Sequence, residues 1–152
     1  MVSIIIPCYN SELCLGRAVS SAQAQTHLDI EIILVDNNST DGTFSLMQTF
    51  QKENPRKIKI FRETKKGAPA ARNRGLHEAK GEWIQFLDAD DEILPEKISR
   101  QLSCIVNDEA GIIIGNFVRV NQNNNRNHVE KIKFVKDSWS GLIQSRLGIT
   151  SA

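Results

Sequence analysis

The chain has 152 residues, 40% of them hydrophobic and 24% charged, with a formal net charge of +1. That length suits one domain with a real core, and a near-neutral charge gives no global reason to expect nucleic acid as a partner. No apolar run approaches the ~18 residues of a membrane span, and the N-terminus, broken at Pro7, lacks the basic segment of a leader peptide.

In chain order, residues 2–6 are a short apolar run and predict a buried strand. Leu15, Ala18, Val19 and Ala22 follow at helical spacing. Residues 30–35 form a second apolar run that closes on Asp36, and Thr43, Leu46, Met47 and Phe50 predict a second helix. Ile58, Ile60 and Phe61 mark a third, half-polar strand. Ala68, Ala71, Gly75 and Ala79 then put small residues on one helix face, which allows close approach to a sheet. Residues 83–87 predict a fourth strand, and Ile98, Leu102, Ile105 and Val106 a helix starting near Pro95, a good first-turn residue. Residues 112–120 read as a fifth strand, 121–127 as a polar turn, 128–135 as a return strand and 138–147 as a short helix. The alternation predicts an α/β fold: a mostly parallel sheet with helices on both faces, plus a C-terminal hairpin. Such sheets bind ligands at the carboxyl ends of their strands.

Three predicted strands end in polar clusters: Pro7-Cys8-Tyr9-Asn10, Asp36-Asn37-Asn38-Ser39-Thr40-Asp41 and Asp88-Ala89-Asp90-Asp91. Lys65-Lys66-Gly67 precedes the third helix and Arg72 lies inside it. Two like charges ~4 Å apart repel by ~4 kcal/mol at an effective dielectric of ~20, so crowded carboxylates call for a cation. Hard oxygen ligands suit Mg²⁺ or Mn²⁺, with phosphate oxygens completing the shell. The same acids also read as a solvated helix N-terminus. Asp36 reads as a turn cap or as an acceptor for a base or ribose. Tyr9 reads as a rim aromatic or a stacking face, and Arg72 as a snorkelling surface residue or a phosphate fork. His27, His77 and His128 are scattered and read as structural. Cys8, Cys14 and Cys104 have no paired spacing, which fits a reduced, cytoplasmic setting.

Together these segments are more specific than any one alone. The run from "VSIIIPCYN" through "EIILVDNNSTDGT" to "KKGAPAARNRGLHEAKGEWIQFLDADDEILPEKI" resembles a family 2 glycosyltransferase with the nucleotide-sugar-binding GT-A fold, over about the first 105 residues. The resemblance implies that Pro7, Tyr9 and Asn10 line the base pocket and that Asp36 hydrogen-bonds the base, with Asn38 close by. It implies that Arg72 approaches base and phosphates, Gly67 letting the backbone pass. Asp88-Ala89-Asp90 would be the DxD motif, Asp88 meeting ribose or sugar and Asp90 ligating the metal, Mn²⁺ or Mg²⁺. The expected reaction moves a sugar from a nucleoside diphosphate, UDP by family habit with dTDP or GDP open, to an acceptor hydroxyl with inversion. The acceptor stays open between a carbohydrate, a lipid-linked saccharide and a protein, as in polysaccharide or cell-envelope biosynthesis. The expected location is cytoplasmic, with the inner face of the membrane as an alternative.

The departure from the family pattern is the general base, expected beyond Ala152, since Glu130 and Asp137 lie in the hairpin region and Asp91 and Glu92 should cap the next helix. Residues 1–152 are therefore expected to be one donor-binding domain cut short of its acceptor-binding part, or else a non-catalytic nucleotide-sugar-binding module. A haloacid-type phosphatase would want DxD after the first strand, and a dinucleotide-dependent dehydrogenase would want GxGxxG there. The first strand here is followed by Pro7-Cys8-Tyr9-Asn10-Ser11-Glu12, with no glycine.

Overall fold

The computed structural model describes residues 1–105, 112, 113, 115–121 and 126–130. The chain divides into two compact units, Met1–Arg100 and Gln101–Ala152. In the first, elements alternate as β1 (Val2–Cys8), α1 (Leu15–Gln23), β2 (Ile30–Asp36), α2 (Thr43–Glu53), β3 (Ile58–Arg62), α3 (Ala68–Glu78) and β4 (Trp83–Phe86), followed by α4 (Lys97–Ser103). The four strands form one parallel sheet in the order β3-β2-β1-β4. The order reverses between β1 and β4, and such a switch point opens a crevice at the carboxyl end of the sheet.

The two central strands are apolar on both sides because both sides are covered. Ile4, Ile5, Ile6, Ile32, Ile33, Leu34 and Val35 are fully buried, each such side chain contributing about 1.5–3 kcal/mol. Ile5, Ile33 and Val35 pack with Ala71 of α3, and Phe61 and Ala79 border that cluster. By strand alternation Ile4, Ile6, Ile32 and Leu34 point the other way. On that side Arg62 of β3 meets Phe44 of α2. The small-residue face of α3 therefore does what its composition predicts. A Cβ added at Gly75 would lie 2.3 Å from Ile5 Cγ2, so the helix sits closer to β1 than any side chain would allow.

One glutamate escapes the apolar reading of β2. Glu31 is buried at the amino-terminal end of the sheet, where Ser3 Oγ and the Lys80 backbone N–H donate to Oε1 at 2.7 and 2.6 Å and Lys59 Nζ reaches Oε2 at 3.0 Å. Burial alone would push its carboxyl up, but the hydrogen bonds from Ser3, Lys80 and Lys59 outweigh that and hold it below the ordinary value of 4.5. A carboxyl depressed in the folded state stabilises the fold above its unfolded value, and that stability is lost as pH falls through the folded value. Replacing Glu31 by Ala is expected to cost about 2–4 kcal/mol at pH 7, because it strands buried donors. Urea unfolding should show the gap between wild type and variant shrinking once the pH drops below 4.5.

The second unit holds β5 (Phe117–Asn121) and β6 (Arg126–Glu130), paired antiparallel with Phe117 opposite Glu130. Of the strand expected at 112–120, residues 117–120 lie in β5, whose partner among the described residues is β6. A parallel partner needs a crossover of a dozen residues or more, whereas the four residues between β5 and β6 permit only an antiparallel return. The expected end of the return strand and the helix at 138–147 lie outside the described residues.

Candidate functional site

In a parallel sheet, the ends of β2, β1 and β4 lie side by side on one edge. Cys8 is paired with Asp36, and the Asn37 N–H donates to the Cys8 carbonyl at 2.8 Å. On the other flank, the Leu87 N–H donates to the Ile5 carbonyl at 3.0 Å. Asp36 and the turn beginning at Asp88 thus flank the end of β1.

The β1 end is held from both sides. Pro7 is still in the ladder, opposite Val35. Tyr9 stands 63% exposed, so its ring is available as a surface. Asn10 takes a positive φ of 47°, a conformation asparagine tolerates better than most residues. Its N–H donates to Ser39 Oγ at 3.0 Å and its Oδ1 accepts from the Thr40 N–H at 2.8 Å. The Ser11 N–H donates to Thr43 Oγ1, and Glu12 Oε2 accepts the Gly42 N–H at 2.9 Å. Glu12 with Asp41, which accepts the Thr43 N–H, satisfies orphan donors at the start of α2. The loops after β1 and β2 are therefore one hydrogen-bonded unit.

Asp36 is buried, and its Oδ1 accepts the Ser39 N–H at 3.3 Å, as a turn cap would. Asn37, which the sequence reading passed over, is buried beside Asp36 in the polar cluster. Its Nδ2 donates to the carbonyls of Glu63 and Lys65 at 3.0 and 2.8 Å, and its Oδ1 accepts the Gly67 N–H at 2.7 Å. Asn38, at φ 66°, donates to the carbonyls of Glu63 and Thr64. These two amides pin the loop between β3 and α3 against the β2 end, leaving Lys65 and Lys66 exposed on it. Gly67, at φ 117°, makes the turn into α3 in a region that L side chains avoid, and Pro69 follows in the first helical turn. A polar cluster after a strand signals a turn, but which asparagine goes inside depends on the neighbouring strand and is not written locally.

Arg72 reaches across to the β4 end, its guanidinium 2.6 Å from Asp88 Oδ1. Both groups are partly exposed, so the pair itself is worth about 1 kcal/mol or less. It positions the two groups rather than stabilising the fold. The Asp91 N–H donates to the Asp88 carbonyl at 3.1 Å, folding Asp88-Ala89-Asp90-Asp91 into a turn with Ala89 buried and Asp90 exposed. Desolvation first, then the charges of Asp90 and Asp88, push the Asp91 carboxyl up. Glu92 does not cap α4 as expected; it pairs with Arg17 of α1 at 3.4 Å, while the Glu96 carbonyl accepts the Arg100 N–H in the first turn. Among the described residues Asp90 makes no hydrogen bond or ion pair, and no three ligand-type side chains form a ready metal cage. A hard divalent ion bound in this turn would have Asp88 and Asp90 as its carboxylate ligands, with phosphate oxygens completing the shell.

Comparison with known proteins gives the family and the fold. The model of the family "Glycosyl transferase family 2" matches residues 3–149. The chain is 35% identical over 124 residues to the Escherichia coli UDP-Glc:alpha-D-GlcNAc-diphosphoundecaprenol beta-1,3-glucosyltransferase WfgD, covering 81% of this chain and 48% of that protein. Among solved structures it is similar to S. aureus TarS 1-349 in complex with UDP, with a TM-score of 0.62 and 30% identity over 68% of this chain and 31% of that fragment. It is also similar to the mannosyltransferase PcManGT of Pyrobaculum calidifontis in complex with GDP-Man and Mn²⁺, with a TM-score of 0.67 and 25% identity over 72% of this chain and 33% of that one. The chain spans less than half the length of the curated relatives it matches.

Proposed function

The chain belongs to glycosyl transferase family 2, and from that premise we propose that it is the donor-binding part of an enzyme that transfers a sugar from a nucleoside diphosphate to an acceptor hydroxyl, with inversion. The observation that carries this reading is the sheet edge that brings buried Asp36, the Arg72–Asp88 pair and Asp90, unpartnered among the described residues, around the end of β1. A base would lie between Tyr9 and the pinned loop at Gly67, with Asp36 accepting a ring N–H and Pro7, Asn10 and Asn38 holding the walls in place. Asp88 would meet the ribose or sugar. Asp90, with Asp88, would hold Mn²⁺ or Mg²⁺. When bound, that ion neutralises charge on the departing diphosphate. Arg72, a fixed fork donor already held at the β4 end, would stabilise the same developing charge.

UDP is the proposed nucleotide, in keeping with the UDP-Glc of the E. coli relative and the UDP bound to TarS. A lipid-linked saccharide is the proposed acceptor, from the diphosphoundecaprenol in the names of two relatives, and that would place the enzyme at the inner face of a membrane. Among the described residues no helix is long and apolar enough to cross a membrane. Titration calorimetry with UDP, with and without Mn²⁺, tests the reading. Tighter binding with the ion than without it is expected, and no binding in either condition would overturn it.

A further inference from the structure

We infer that Arg62 is a positioning residue for base selection, acting through Asp36. The inference rests on the donor-binding reading above and adds a residue to it. Arg62 closes β3 and is paired in the ladder with Asp36 at the end of β2, so the two side chains leave the same face of the sheet. Arg62 Nε lies 3.9 Å from Asp36 Oδ2. Its guanidinium carbon lies 3.6 Å from the centroid of the Phe44 ring, in the first turn of α2.

The two partners of Arg62 do different things. Phe44 gives the planar guanidinium a face to lie on, which removes much of the freedom of a long side chain. Asp36 gives it a charge to oppose. The Asp36 side chain is 5% exposed while that of Arg62 is 64% exposed, so the carboxylate is the group that needs the partner. At 3.9 Å the arginine supplies charge without making a hydrogen bond. Oδ1 is taken by the Ser39 N–H, and among the described residues Oδ2 accepts no hydrogen bond. The arrangement therefore leaves the acceptor oxygen Oδ2 with its lone pairs unused at the site, beside a cation stacked on Phe44. Such an oxygen suits a base that presents a ring N–H, as uracil does. It rejects one that presents an unprotonated ring nitrogen, as cytosine does.

The test is calorimetry of the full chain with UDP and with CDP, in Mn²⁺, on wild type, Arg62→Ala, Arg62→Lys and Phe44→Leu. Arg62→Ala is expected to weaken UDP about tenfold, equivalent to about 1.4 kcal/mol, and to leave CDP nearly unchanged, so that the preference between them collapses. Arg62→Lys keeps the charge without the flat stacking and should fall between. Phe44→Leu should fall there too, since it removes the ring and keeps the arginine. Melting temperatures of the Arg62 variants should stay within about 2 °C of wild type, as expected of an exposed side chain. An Arg62→Ala protein that keeps the wild-type preference would overturn the inference alone. So would one that loses UDP and CDP equally, since that is a general charge effect. A wild type that binds neither nucleotide would overturn the inference together with the donor-binding reading.

Discussion

Replacing Asp90 by Ala is expected to abolish the Mn²⁺-dependent part of UDP binding while leaving the melting temperature unchanged or slightly higher. The reason is its isolation. Asp90 is exposed, among the described residues it has no hydrogen bond or ion pair, and its charge helps push the neighbouring Asp91 carboxyl up. The folded protein gains nothing from that carboxylate, so losing it should be felt only where a cation and a diphosphate are bound. Asp88→Ala makes the contrast. It removes the partner of Arg72 and should weaken UDP with or without the ion. Calorimetry in Mn²⁺ and in chelator, alongside thermal melts, separates the two. Equal, ion-independent effects from both substitutions would refute the assignment of Asp90 to the metal.

Gly75→Val is expected to be strongly destabilising. The first atom it adds would lie 2.3 Å from Ile5 Cγ2. Ile5 is fully buried in the central strand and is stiff about its first side-chain torsion. Neither partner can turn aside, so α3 must lift off the sheet, at a cost of about 3 kcal/mol. That should appear as a drop of roughly 8 °C or more in melting temperature. The damage should extend to the site, because Arg72 sits one turn earlier on the same helix and would be carried away from Asp88. A variant with a wild-type melt would mean that α3 is not seated on Ile5 as described.

Most of the parallel half was legible from local pattern. The apolar runs at 2–6 and 30–35, the small-residue face of the third helix and the acids closing two strands all find their place, because a strand covered on both faces and a helix in close contact each leave a periodic trace in composition. The residues that pattern reading missed share a cause. Glu31 sits inside an apolar run, and only the arrival of Ser3, Lys59 and Lys80 from three other places in the chain makes its burial tolerable. Arg62 carries no local signal in the sequence, and only its register puts it opposite Asp36 and over Phe44.

The division follows from the range of the forces. Helix and strand periodicity, the turn at Gly67 and the acidic run at Asp88 are properties of neighbours in sequence, so the amino-acid order alone determined the α/β alternation and the family. The burial of Asn37, the Arg72–Asp88 pair and the Arg62–Asp36 approach join groups 16 to 30 positions apart. Charge and hydrogen bonding act over a few ångströms, so only the sheet order that brought those groups within reach decided which of them meet.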